Sequence, residues 1–292
     1  MKFKLPIRTS ASEIPFAIGI PALVWQVLFF YIPLLFIVCS SVIEVSANGN
    51  FAGITFEKLF LFFRPTYLKV IVSSLLLALS NAVICLLIAY PVAYFITFTA
   101  KRFKNLLLFL LIVPFWTNFL LHVYAWFFVL EKEGFLNQIL KSLHMIQEPF
   151  HFLNSLFATM IMMVYYYLPF MLLPIYSSLE RFDYRLIEAS LDLGASWLQT
   201  LRRIMIPLTI RAIRSGFFLV YIPSFGEFAI PELMGGDKQM FVGSVVSHYI
   251  LGEQTGSYGA AFTVVSGFIL LLSAFLLYWL FNQFIQPEKH HA

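Results

Sequence analysis

One carboxylate stands out from the few charges inside this chain's apolar stretches. Glu227 lies between Phe225-Gly226 and Phe228 in a long apolar run. An ionisable side chain in such a run is costly, and its default reading is a functional position. The alternative is structural: a pairing with an arginine or a hydroxyl, or a place near the outer membrane interface. Glu232 lies nearer the outer end of the same run. Aromatic faces come from Trp116, Tyr124 and Trp126 in one stretch and from Tyr165, Tyr166 and Tyr167 in the next. The same residue types also form interfacial belts that anchor helices. Asn118 and His122 are four apart, so on a helix they share a face, and hydrogen bonds between helices would account for them.

None of these residues is arranged for making bonds. His122, His144, His151 and His248 lack the spacing of a metal site. The serines show no G-x-S-x-G elbow, and no G-x-x-x-x-G-K-[ST] loop is present to cradle phosphates. Cys39 and Cys85 fall inside apolar runs and read as small buried apolar residues, not as a disulfide or metal pair.

The elements that must position these groups are membrane spans. The chain of 292 residues is 60% hydrophobic and only 12% charged, with a mean hydropathy of +0.85. A soluble domain is about a quarter charged, so most of this surface is built to face something other than water. Six apolar stretches, at roughly 14–43, 67–100, 105–130, 152–178, 208–234 and 258–286, are long enough to cross a bilayer. The expected fold is all-α, a polytopic bundle of about six spans forming one transmembrane domain over 1–292. Pro33, Pro91, Pro114, Pro169, Pro174, Pro223 and Pro231 lie inside these runs, as membrane bundles tolerate. The first run is longer than a cleavable signal's core and is expected to remain as a span. No function is assigned to the terminal Glu288–Ala292.

Lysines and arginines set the orientation. With the N-terminus inside, the inside segments hold 13 of the 19 basic residues, including Lys2, Lys4, Arg8, Lys101, Arg102, Lys104, Arg202, Arg203 and Lys289. Both termini are therefore expected in the cytoplasm. The net charge of +4 is a topology signal and does not call for nucleic acid.

One inside segment, 179–207, is far longer than a connector requires. Ile187, Leu191, Gly194, Leu198 and Leu201 recur at spacings of four and three, one stripe of an amphipathic helix. Glycine costs about 1 kcal/mol in a helix interior, so Gly194 is expected to mark a break between two short helices. Residue physics alone leaves two readings: a helix on the membrane surface, or a docking element for a soluble partner's groove.

Glu188-Ala189-Ser190, three residues, Gly194, nine residues, then Ile204-Met205-Ile206-Pro207 resembles the EAA loop, E-A-A-x3-G-x9-I-x-L-P, of ATP-binding-cassette (ABC) importer permeases. Ser190 and Ile206 depart from the pattern. The resemblance implies the type I importer permease fold and a coupling segment seated on a separate ATPase, with Glu188, Ala189, Ser190, Gly194, Ile204 and Pro207 at or near that contact. Pro207 is expected to end the segment. ATP and Mg would be bound by the partner ATPase, with no cofactor on this chain. PFWTNFLLHVYAW (114–126), YLPFMLLPIYSSLERFD (167–183), LDLGAS (191–196) and PSFGEFAIPELMGG (223–236) extend the likeness to the spermidine/putrescine permeases. Iron, sulfate and phosphonate permeases share the loop but match these stretches less well.

That family pairs two homologous permeases with two ATPase copies and an external binding protein, in the bacterial inner membrane. A polyamine is a methylene chain bearing ammonium groups, and its path needs carboxylates for the charges and aromatic faces for the rest. Glu227, Glu232, Trp116, Tyr124, Trp126 and Tyr165 are the candidates. An ion-driven transporter would favour inverted repeats and more intramembrane acids, and a membrane enzyme would need a catalytic constellation. Neither is seen.

Overall fold

The computed structural model describes residues 16–45, 51–236, 240–252 and 256–285. Lys2, Lys4, Arg8, Asp237, Lys238, Glu253, Lys289 and the terminal 288–292, some of which entered the topology reading above, lie outside them.

Among the described residues the fold is an all-α bundle with one small hairpin. Helices α1 (Phe16–Gln26) and α2 (Ile32–Val42) join through a wide turn, Val27–Tyr31, making a first span, Gly19–Val42. It stands at the periphery and packs through α2 on the last helix. A hairpin follows, β1 (Ile43–Val45) against β2 (Phe51–Ile54), antiparallel with Ile43 opposite Ile54. Then come the short α3 (Glu57–Leu61) and α4 (Pro65–Tyr94). With its wide terminal turn, α4 makes a 35-residue helix to Thr99. That is about 52 Å of helix against about 30 Å of hydrocarbon, so its ends stand outside the apolar layer.

The stretch 105–130 is not one straight span, as the sequence suggests. It divides into α5 (Lys104–Ile112), a tight turn Val113–Trp116, and α6 (Phe119–Leu130), which leads to α7 (Phe135–Ser142). The two halves are bent by 101°. Pro114 withholds an N–H at the turn, and Asn118 starts a new helix by accepting a hydrogen bond from Leu120 N–H at 2.8 Å. Counting the bent pair as one, up to six spans are present among the described residues.

Helix α8 (Leu156–Glu180) runs uninterrupted despite Pro169 and Pro174. Two short helices follow, α9 (Arg185–Asp192) and α10 (Trp197–Thr200), then a wide turn Leu201–Met205 and α11 (Ile206–Phe225). Trp197–Phe225 is helical throughout. Pro207 therefore does not end the segment: it sits just after the wide turn, whose altered hydrogen bonding lets the helix run on past a residue with no N–H. The chain breaks again at Gly226–Phe228, makes a short wide turn Pro231–Gly235, then α12 (Val242–Ser247), and returns in α13 (Gly256–Ile285).

The core is the packing of α4, α8 and α11. Helix α4 buries Ala78, Ala82, Cys85, Ala89 and Ala93 along one face, small residues that let helices approach closely in lipid. Gly216 of α11 serves the same end, since a Cβ there would meet Met171 O and Sδ at 3.0 Å. Lys104 and Glu180 form an ion pair, which ties the start of α5 to the end of α8 at one end of the bundle, here termed the basic end.

Candidate functional site

The segment at the basic end is a helix-turn-helix. Asp183 Oδ1 accepts from Arg185 N–H at 3.0 Å and opens α9. After Asp192 the chain turns at Gly194, whose φ of +84° favours glycine. Leu193 N–H, Gly194 N–H and Ala195 N–H return to Ala189, Leu191 and Ser190 carbonyls, using up the helix's last acceptors. Ser196 then opens α10 with a reciprocal capping box to Gln199. The break at Gly194 is as the sequence suggests, but the five-residue stripe is not one face. Ile187 is buried while Leu191, Gly194 and Leu198 are exposed, because the reversal turns α10 away from the line of α9.

What lies inside is a pair of hydroxyls, Ser190 Oγ and Thr200 Oγ1, buried and 2.8 Å apart. Glu188, Ala189 and Gly194 face outward, Ile204 is half-buried and Pro207 exposed. Leu193, beside Gly194, is 88% exposed. Rings hold the segment to the end of α4: Trp197 lies edge-on to Tyr94 at 5.0 Å, and Tyr184 packs on Phe98 at 5.2 Å. The result is a rigid platform that presents a carboxylate and apolar groups outward.

The second site is at mid-helix depth. Tyr167 is the twelfth residue of the 25-residue α8, roughly 17 Å from that helix's start. Its hydroxyl donates to Glu227 Oε2 at 2.9 Å. The other carboxylate oxygen, Oε1, accepts from Ala229 N–H at 3.1 Å, capping the turn that follows the break. Glu227 thus has a hydroxyl partner and lies level with the middle of α8. Gly243 of α12 backs the break so closely that a Cβ there would meet Gly226 O at 2.5 Å and Glu227 O at 2.8 Å.

The other sequence candidates do not converge on this carboxylate. Trp116 and Tyr124 are 73% and 54% exposed. Trp126 and His122 pack edge-on against Tyr165 at 5.5 and 5.8 Å, beside a cavity of about 160 Å³ that Tyr166 also lines. Glu232 is exposed on the Pro231–Gly235 turn. The hydrogen bonds of Asn118 and His122 stay within the bend: Asn118 caps α6, and His122 Nε2 pairs with Thr117 Oγ1 at 2.6 Å.

A buried polar link escaped the sequence reading. Asn81 Nδ2 of α4 donates to Ser224 Oγ of α11 at 2.8 Å, three residues before Glu227. Its signal was present as an amide inside the apolar stretch 67–100. Tyr90 and Thr209, 3.2 Å apart, join the same two helices nearer the basic end.

Residues 86–287 match the family described as binding-protein-dependent transport system inner membrane component. Over 261 residues the chain is 39% identical to the spermidine/putrescine transport system permease protein PotB of Salmonella typhimurium (strain SL1344), covering 87% of this chain and 89% of that one. It is 36% identical over 255 residues to PotB of Haemophilus influenzae, with the same two coverages. A crystal structure of a bacterial ABC transporter involved in the import of the acidic polysaccharide alginate matches with a TM-score of 0.68, covering 93% of this chain and 96% of that one. Its sequence identity is 14%, so that likeness concerns the fold. The chain belongs to the inner-membrane components of binding-protein-dependent transport systems, a multi-pass permease of the ABC importer class in one family with the PotB proteins.

Proposed function

We propose that this permease translocates polyamines, and that ATP-driven alternation reaches it through Glu188–Pro207. The basic end is cytoplasmic, with both termini on that side. There α9 and α10 dock in a groove of an ATPase that binds ATP and Mg and does the hydrolysis. A second homologous permease completes the pathway, and a periplasmic polyamine-binding protein delivers substrate at the opposite end. The carboxylate of Glu227 attracts the ammonium groups on their way through.

The observation that carries the reading is the platform at 185–205. It is held by a turn, a capping box and a hydroxyl pair, yet leaves Glu188 and Leu193 without a packing role. Outward apolar groups suit a membrane surface or a partner protein, and the EAA-like spacing of Glu188, Gly194 and Pro207 favours the partner. The relatives named above supply the substrate class, and a mid-depth carboxylate beside tyrosine suits it.

Affinity purification from membranes tests the coupling. An ABC ATPase should co-purify with the chain, and uptake should stop on ATP depletion. Uptake that survives ATP depletion, with no ATPase recovered, contradicts the reading.

A further inference from the structure

Two helix breaks meet one face of α8. The first is the bend Val113–Trp116, which carries Phe115. The second is Gly226–Phe228, which carries Glu227. In lipid, irregular backbone is tolerated where it is buried in protein or lines a cavity, and discontinuous helices gather at the substrate sites of transporters. Between these breaks four aromatic rings close a circuit. Phe115 lies 5.8 Å from Tyr166, Tyr166 lies 5.3 Å from Tyr167, Tyr167 lies 6.2 Å from Phe170, and Phe170 returns to Phe115 at 5.4 Å. Phe115 and Tyr166 also line the cavity of about 160 Å³ beside the bend, and a cation there is drawn to an aromatic face within about 6 Å of its centroid. Tyr167 is buried and tied to Glu227, whereas Phe115 and Tyr166 are half-buried and Phe170 is 38% exposed.

We propose that Phe115, Tyr166, Tyr167 and Phe170 with Glu227 form the site that holds one protonated amine of the polyamine and its adjoining methylenes during passage. This rests on the polyamine reading above. The carboxylate supplies the charge, and the rings give a surface that accepts an ammonium without the hydration it loses. Simple packing of lipid-facing helices does not require the two breaks to fall at this ring circuit. Because Phe115 belongs to the bend, a change in the bend opens or closes one wall of the site. Nothing in the arrangement measures chain length, so spermidine and putrescine should be affected alike.

The test is uptake of labelled spermidine and putrescine by the complete importer in proteoliposomes, comparing Tyr166→Leu and Phe170→Leu with Tyr166→Phe. Leucine keeps apolar bulk and removes the ring face, and co-purification with the ATPase verifies assembly of each variant. The leucine variants should raise KM about three- to thirtyfold for both substrates, the range expected from losing one cation–π contact. Tyr166→Phe should reverse most of that rise. Leucine variants with unchanged KM, alongside a Glu227→Gln variant whose KM rises, would overturn the aromatic site and leave the polyamine reading standing. A wild-type importer that moves neither polyamine would remove that reading, and this site with it.

Discussion

Ser190 and Thr200 lie hydroxyl to hydroxyl at 2.8 Å, closing α9 onto α10 in a buried contact. Ser190 stands where the EAA pattern has its second alanine, so the departure is accompanied by a partner ten residues on. Thr200 Oγ1 also reaches Ser196 O at 3.3 Å. Ser190→Ala therefore leaves Thr200 a partner and should cost about 1 kcal/mol. Thr200→Val strands the Ser190 hydroxyl and should cost about 1–3 kcal/mol. The thermal midpoint of the purified complex should fall in that order. The double variant should be little worse than Thr200→Val alone, since the two side chains share one interaction.

Glu188 and Gly194 are both exposed at the platform but should fail differently. Glu188→Arg puts a cation in place of an outward acid in the first turn of α9, so the fold should lose at most about 1 kcal/mol while uptake uncouples from ATP hydrolysis. Gly194→Val puts a β-branched residue at φ +84°. No atom lies within 4 Å of a Cβ there, so the cost is backbone strain of about 1–3 kcal/mol. Recovery of the ATPase with each variant, and uptake per ATP hydrolysed, separate the two.

Gly243 should be intolerant for a different reason. An alanine Cβ would press on the carbonyls of Gly226 and Glu227 at 2.5 and 2.8 Å, and backbone cannot swing aside as a side chain can. Gly243→Ala should move the break that aims Glu227, lowering uptake severalfold while the ATPase still co-purifies. Gly267→Ala, where a Cβ meets nothing within 4 Å, is the matched control and should transport normally.

Much of this architecture was legible as hydrophobic runs, because a span must be long and apolar whatever it packs against. The break at Gly194 was legible too, since glycine in a helical stripe is a local signal. What periodicity missed was reversal. A run such as 105–130 stays apolar through Pro114, and hydropathy does not register a 101° bend. The same blindness scattered the candidate aromatics. Trp116 and Trp126 looked equivalent to the tyrosines of α8, yet only tertiary packing brings Tyr166 and Tyr167 beside Glu227. Pro207 misled because the wide turn before it carries the helix past the proline, and nothing local announces such a turn.

The most direct test of the central claim is competition uptake of a polyamine panel by the complete importer, wild type against Glu227→Gln. The amide keeps an acceptor for Tyr167 and removes the charge. Wild type should take up spermidine or putrescine in a polyamine-competed, ATP-dependent manner, and Glu227→Gln should raise KM at least severalfold with assembly intact. Uptake that polyamines do not compete, or identical polyamine kinetics in the two proteins, would contradict the account.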